Sequence, residues 1–261
     1  MKRKLVFITD CVDVAYSEIR GVVYQELQKF QISDDQIIIE PVAKVFPFSI
    51  INGSFILRIL AESYPAGTVF SVILNPMQKR PERIFGRTTK KDFIFIGANT
   101  GVFDWFLKDF RIDKLYELND PGFLPFGGKY VHAPAATKLA IGETFESMGK
   151  IFNQDKLLPL EIKRGTIVHV DNFGLMKFHG SISHLKEGDV VQISVNGFPI
   201  SAIITTRMMA RPTGERTIYP GSSIGLPELG KVRENGAKLL DAKPGDIIEF
   251  IDKKITQSIE A

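Results

Sequence analysis

The chain has 261 residues, 44% hydrophobic and 24% charged, and its 33 basic and 30 acidic side chains leave a formal charge of +3. That length suits one large or two modest domains, and the balance is that of a globular chain, which argues against disorder, coiled coil and membrane spanning. So small and scattered a basic excess carries no nucleic-acid footprint, which leaves metabolites as the natural partners.

Met1-Lys2-Arg3-Lys4 and the apolar residues after it imitate a signal peptide, but Asp10 interrupts the run short of the roughly 7–15 residues such a segment needs. Residues 4–8 therefore read as a strand ending at Thr9-Asp10. The following segment places Ile19, Val22, Val23, Leu27 and Phe30 on one helical face. A strand over 37–41, a helix over 48–60 and a fully apolar strand over 68–74, ending at Asn75-Pro76, come next. Strands over 92–97 and 114–118 then alternate with helices over 102–110 and 135–141. The alternation predicts an N-terminal α/β domain over 1–155 with a largely parallel sheet flanked by helices. Beyond the polar Asn153-Gln154-Asp155-Lys156 the character changes. Short β-type runs at 165–170, 190–195, 200–205 and 246–250, separated by Gly, Asn and Pro turns, predict a small all-β, barrel-like domain over 156–261.

A single cysteine, Cys11, excludes an intramolecular disulfide and offers no metal-ligand spacing, so a reducing cytoplasm is the expected compartment. His132, His169, His179 and His184 show no metal spacing either, and no metal is expected.

In an open α/β sheet, ligands gather outside the carboxyl ends of the strands. Thr9-Asp10, Asn75-Pro76 and Asn99-Thr100-Gly101 fall at such ends, although each also reads as a helix cap or turn. Phe126-Gly127-Gly128-Lys129 is a turn in which consecutive glycines let backbone approach a ligand closely. Asp171-Asn172-Phe173-Gly174 sets an acid and an aromatic beside a glycine, suited to clamping an amine and a ring. Gly221-Ser222-Ser223 offers hydroxyls and amides to a carboxylate, with Arg233 downstream as a planar partner. Hairpin turns explain these last segments equally well.

Taken in order, these segments resemble the S-adenosylmethionine hydroxide adenosyltransferase family, which also contains fluorinases and chlorinases. The family opens with Thr-Asp-Phe-Gly and a later Lys-Gly, mirrored by Thr9-Asp10-Cys11-Val12 and Arg20-Gly21. Pro47-Phe48-Ser49-Ile50 resembles its Pro-x-Asp-Ile, and Pro65-Ala66-Gly67-Thr68-Val69 its Pro-Gly-Thr-Val. Ile73-Leu74-Asn75-Pro76-Met77-Gln78 stands where the family has Val-Val-Asp-Pro-Gly-Val-Gly, and Gly97-Ala98-Asn99-Thr100-Gly101 where it has Gly-Pro-Asp-Asn-Gly. The run from Phe126 to Pro134 resembles Phe-His-Gly-Arg-Asp-x-Phe-Ala-Pro. Asp171-Asn172-Phe173-Gly174-Leu175 resembles Asp-x-Phe-Gly-Asn, and Gly221-Ser222-Ser223 through Glu228 resembles Gly-Ser-Ser-Gly-x-Leu-Glu.

The resemblance implies an α/β domain, a β-barrel and a homotrimer with pockets between the first domain of one subunit and the second of its neighbour. It also implies S-adenosylmethionine as ligand. Asp10 would hold both ribose hydroxyls, and Phe48 and Phe126 would border the nucleoside. Asp171 would pair with the methionine ammonium, and the Ser222-Ser223 region would receive its carboxylate. Asn99, Gly128 and Phe173 fall in the matched motifs, and Arg233 is carried to the adenine side. Hydroxide-using members position water with Asp, Arg and His. This chain has Asn75 first and Gly127 last, with Glu82 at the ungapped Arg position and Arg83 beside it. An amide cannot take a proton as a carboxylate does, and glycine has no side chain. Lys129 and His132 are the nearby groups able to substitute. The expected function is binding of S-adenosylmethionine and, if the chain is active, transfer of its adenosyl group to water or another small nucleophile. The alternatives are a non-catalytic S-adenosylmethionine or adenosine sensor and a structural trimer in which Asp10 is only a cap.

Overall fold

The structure, a computed structural model, describes residues 2–119 and 121–251; Met1, Asp120 and 252–261, the end of the expected second domain, lie outside the described residues. Contacts divide the chain into Met1–Leu160 and Glu161–Ala261. The division falls a few residues after the polar Asn153-Lys156 segment, which makes a 3-10 turn over Gln154–Lys156.

The first unit is a sheet of β1 (Arg3–Thr9), β2 (Ile37–Ile39), β3 (Ala43–Lys44), β4 (Val69–Ile73), β5 (Arg83–Thr88), β6 (Ile94–Ala98), β7 (Ile112–Leu118) and β8 (Gly149–Ile151). Helices α1 (Val14–Lys29), α2 (Ile50–Ser63), α3 (Asp104–Phe110), α4 (Ala133–Ile141) and α5 (Phe145–Met148) lie between them. The order is β2-β1-β4-β6-β5-β7-β8, with β3 also on β1. Pairing is parallel from β2 to β6 and antiparallel from β6 to β8. Every residue of β4 is buried, the continuous apolar run that a sheet covered on both faces requires. Leu5 and Phe7 pack with Ile19, Val23, Leu27 and Leu139 of α1 and α4. Phe70, Phe93, Phe95 and Phe106 fill the α3 side with edge-on ring contacts, such as Phe70–Phe93 at 5.2 Å and Phe95–Phe106 at 5.8 Å.

No strand was expected over 83–88. Arg83-Ile84-Phe85-Gly86-Arg87-Thr88 shows no clean alternation, and its strand character comes from β6 and β7 pairing on both sides.

Asp13 is the N-cap of α1, its Oδ1 accepting the Ala15 amide at 2.9 Å. Ser49 caps α2 in the same way, accepting from Asn52 N at 3.2 Å. Asp10 caps neither helix. Asp13→Ala is expected to cost about 0.5–2 kcal/mol in urea unfolding, the usual loss for an N-cap.

The second unit holds β9 (Ile167–Val170), β10 (Met176–Phe178), β11 (Val190–Val195), β12 (Phe198–Ile204), β13 (Arg216–Pro220), β14 (Pro227–Lys231), the short α6 (Gly236–Leu239) and β15 (Ile248–Phe250). They form one sheet in the order β15-β11-β12-β13-β14-β10-β9. The sheet curls until its edges meet: Ile167 N donates to Asp246 O at 2.7 Å and Ile248 N to Gly165 O at 2.8 Å. Ile167, Phe178, Val191, Ile193, Ile218 and Leu229 fill its interior. The barrel-like expectation holds, although β10 and the strands β13 and β14, these two bounded by prolines and a Gly-Ser turn, carried no recognised strand signal.

Candidate functional site

Strand register assembles the first part of the site. Thr9 lies opposite Ile73, Val72 opposite Gly97, and Ala98 opposite Arg83. Asp10, Asn75, Asn99 and Arg83 therefore share one edge of the sheet, where the parallel strands end. The Phe126-Gly127-Gly128 segment crosses the same edge. A Cβ on Gly127 would stand 2.9 Å from Arg83 Nη2, and one on Gly128 would stand 2.8 Å from Ile73 Cγ2. Gly128–His132 then makes a single π-helical turn running into α4, a local winding common at functional sites.

Asp10 Oδ2 accepts the Phe48 amide at 2.9 Å, across 38 residues of chain. Phe48 has φ of 60° and is 72% exposed. A bulky residue in the left-handed region is an outlier that the surroundings must hold in place, and such strain gathers at ligand sites. Asp10 supplies one of those holds. A residue with an exposed aromatic side chain is thus tied through its backbone to a half-buried carboxylate, and the two residue types together suit a ring and vicinal hydroxyls. Burial raises the pKa of the adjacent Cys11 thiol, so it is not an activated nucleophile.

The triad positions are arranged unlike a water-activating set. Asn75 Oδ1 accepts Met77 N at 3.1 Å and closes a local turn. Arg83, only 8% exposed, brings its guanidinium to Gly127. A histidine at 127 would first have to displace that guanidinium. Lys129 donates to Glu18 of α1 at 2.6 Å, and this partner raises the ammonium pKa above its ordinary value. Lys129 is therefore a cation rather than a base. His132 is buried at 6% exposure.

Asn99 takes a different part. Its Nδ2 donates to Lys156 O at 2.9 Å, and its Oδ1 accepts Leu158 N at 3.0 Å, so both ends of a side chain with 2% exposure clamp the backbone over 156–158. Gly128→Ala is expected to cost about 1–3 kcal/mol in urea unfolding, because the added methyl overpacks against β4.

In the second unit, Asp171, Phe173, Ser222 and Arg233 line one groove of about 1070 Å³, with Met208 and Met209 among its apolar walls. Asp171 Oδ1 accepts from Phe173 N and Leu175 N, both at 2.9 Å, which fixes the turn presenting the 68% exposed Phe173. Ser223 O accepts Leu226 N at 3.0 Å in the turn that carries Ser222. Arg233, with φ of 56°, donates to Met209 O at 3.0 Å and Arg211 O at 3.3 Å and so props one groove wall.

Sequence reasoning missed the floor of this groove. Lys177 forms an ion pair with Glu228, and Tyr219 Oη donates to Glu228 Oε2 at 2.7 Å. Their positions, far apart in sequence, carry no local signal. Only strand register aligns them.

The family model for the SAM hydroxide adenosyltransferase N-terminal domain matches residues 5–149. The chain belongs to this family. Membership supports S-adenosylmethionine-related activity in general. No curated protein matches the sequence significantly. Among solved structures, an uncharacterized conserved protein from Thermotoga maritima is similar at a TM-score of 0.78 and 21% identity, over 94% of this chain and 99% of that one. A conserved hypothetical protein from Thermus thermophilus is similar at a TM-score of 0.72 and 19% identity, over 95% of this chain and 100% of that one. These likenesses show that the fold of this family member extends over both units. No helix among the described residues is long and apolar enough to cross a membrane.

Proposed function

We propose that this chain binds S-adenosylmethionine and transfers the adenosyl group to water or another small nucleophile, releasing adenosine, or its substituted counterpart, and methionine. The observation that carries the reading is Asp10, a carboxylate at the end of β1 that caps no helix and stands beside the exposed Phe48. In this reading Asp10 holds the ribose hydroxyls, and Phe48 and Phe126 border the nucleoside. As the resemblance implies, the groove bearing Asp171, Phe173 and Ser222 in a neighbouring subunit takes the methionyl end.

The reaction is displacement at the ribose C5′. The nucleophile's lone pair forms the new bond to C5′ as the C5′–S bond breaks, and the departing pair converts the sulfonium into the neutral thioether of methionine. No general acid is needed for that leaving group, and a water nucleophile gives its proton to solvent. With Asn75 and Gly127 at the triad positions, no base is supplied there. The rate then comes from alignment and desolvation of the nucleophile, effects worth up to about 7–11 kcal/mol in good geometry.

Binding without turnover is the second reading. The Asn75 side chain closing its own turn and the Arg83 guanidinium beside Gly127 favour it. Assembly as a homotrimer belongs to both readings, and sedimentation of the purified protein checks it.

Calorimetric titration with S-adenosylmethionine and adenosine, followed by chromatography after long incubation, separates the two. Stoichiometric adenosine and methionine support turnover. Binding with no product leaves the sensor reading, and no binding rejects both.

A further inference from the structure

The turn that carries Phe48 runs against its own sequence. Phe46, Pro47, Phe48 and Ser49 form a four-residue turn closed by Ser49 N, which donates to Phe46 O at 3.1 Å. Proline in second place and a φ of 60° in third give it the type II pattern, whose third residue is ordinarily glycine because a side chain there is strained. Here that place holds a phenylalanine that is 72% exposed. Burial of the ring therefore does little to offset the strain, and the turn must be held from outside.

Two side chains from different elements hold it. Asp10, at the end of β1, accepts the Phe48 amide at 2.9 Å. Asn52, in the first turn of α2, reaches back past the N-cap of its own helix: its Oδ1 accepts the Phe46 amide at 2.8 Å, while Ser49 Oγ accepts Asn52 N at 3.2 Å. In an ordinary capping box the side chain at this place reaches only to the N-cap amide. Asn52 instead spans the whole turn, with 2% exposure, in a helix where asparagine is not a favoured residue. Its anchorage is firm. A Cβ on the adjacent Gly53 would stand 2.8 Å from Leu74 Cδ2, just past β4, and 3.2 Å from Val102 Cγ2, so α2 is seated closely on the sheet edge that carries Asp10.

We propose that Asn52 is a positioning residue for the nucleoside. It holds the Phe46–Ser49 turn in its strained form, so that the Phe48 ring is set before a ligand arrives, which raises nucleoside affinity while lowering stability. The inference rests on the S-adenosylmethionine reading above and adds to it a residue outside the matched motifs.

The test is a double-mutant cycle over positions 48 and 52 of the full chain, read by calorimetric titration with S-adenosylmethionine and with adenosine and by urea unfolding. Phe48→Gly is expected to raise the urea midpoint, since glycine takes a positive φ without strain and the lost ring was exposed. It is also expected to weaken both ligands about tenfold, the scale of one aromatic ring stacked on a base. Asn52→Ala is expected to weaken both by about three- to tenfold, as the turn spends less time with the ring in place. Asn52→Ser, too short to reach Phe46 N, keeps a polar side chain in the helix and is expected to repeat that loss. In the Phe48→Gly background either change at 52 is expected to matter by under about twofold, because no ring is left to position. Equal losses at 52 in both backgrounds are what a general loss of packing gives, and they overturn the role of Asn52. A Phe48→Gly variant that binds like the parent, or unfolds more easily, overturns it too. Each of these results leaves the Asp10 assignment standing, whereas failure of the parent to bind either ligand overturns both.

Discussion

Lys177→Met alone is expected to lower the unfolding free energy by about 3–5 kcal/mol. Lys177 and Glu228 have side-chain exposures of 12% and 4%, so removing the ammonium leaves a desolvated carboxylate that has lost its opposing charge and keeps the Tyr219 hydroxyl. The cost is the unpaired charge rather than the worth of the pair. Adding Glu228→Gln removes that charge, so the paired variant is expected to recover most of the loss, because replacing a buried ion pair as a whole is often neutral. Urea unfolding of the parent, the single variant and the paired variant checks both statements. A single variant as stable as the paired one would show that Glu228 is not held as a buried anion.

Asp10→Ala is expected to weaken nucleoside binding by about 1.5–3 kcal/mol, or roughly 10- to 150-fold, through loss of charge-assisted hydrogen bonds to the ribose. Alanine also releases the Phe48 amide and with it one hold on a strained backbone. Asp10→Asn separates these effects. Its side-chain oxygen can still accept from Phe48 N, but the negative charge and one of two acceptor oxygens are gone. Calorimetry should therefore show most of the affinity loss in Asp10→Asn as well, with stability close to the parent's. Full affinity in Asp10→Asn would assign Asp10 to the Phe48 loop alone.

Much of the first unit was legible because its signals are local. The apolar run of β1, the helical face of Ile19, Val23 and Leu27, and the fully apolar β4 each announce themselves within a few residues. The ordered motifs reached the family for the same reason. Asp10 and Asp13 show where local signals stop. Either carboxylate suits a cap at the start of α1, and only the coordinates give that role to Asp13 and tie Asp10 to Phe48. Strand β5 was hidden because neighbours on both sides, rather than its own periodicity, make it a strand. Asn99 stood at the predicted edge, yet its amide serves the backbone at 156 and 158, a pairing no spacing rule contains. The Lys177–Glu228–Tyr219 ladder was illegible in a stricter sense. Its members sit on three strands, none of which carried a recognised signal, and register alone brings them into line.

Family membership and the arrangement around Asp10 point to the same ligand, so the most direct measurement is a crystal structure of the protein with S-adenosylmethionine bound. The account predicts both ribose hydroxyls within about 2.5–3.0 Å of the Asp10 carboxylate oxygens, with Phe48 against the nucleoside. A nucleoside bound elsewhere, with Asp10 touching only Phe48 N, would contradict it.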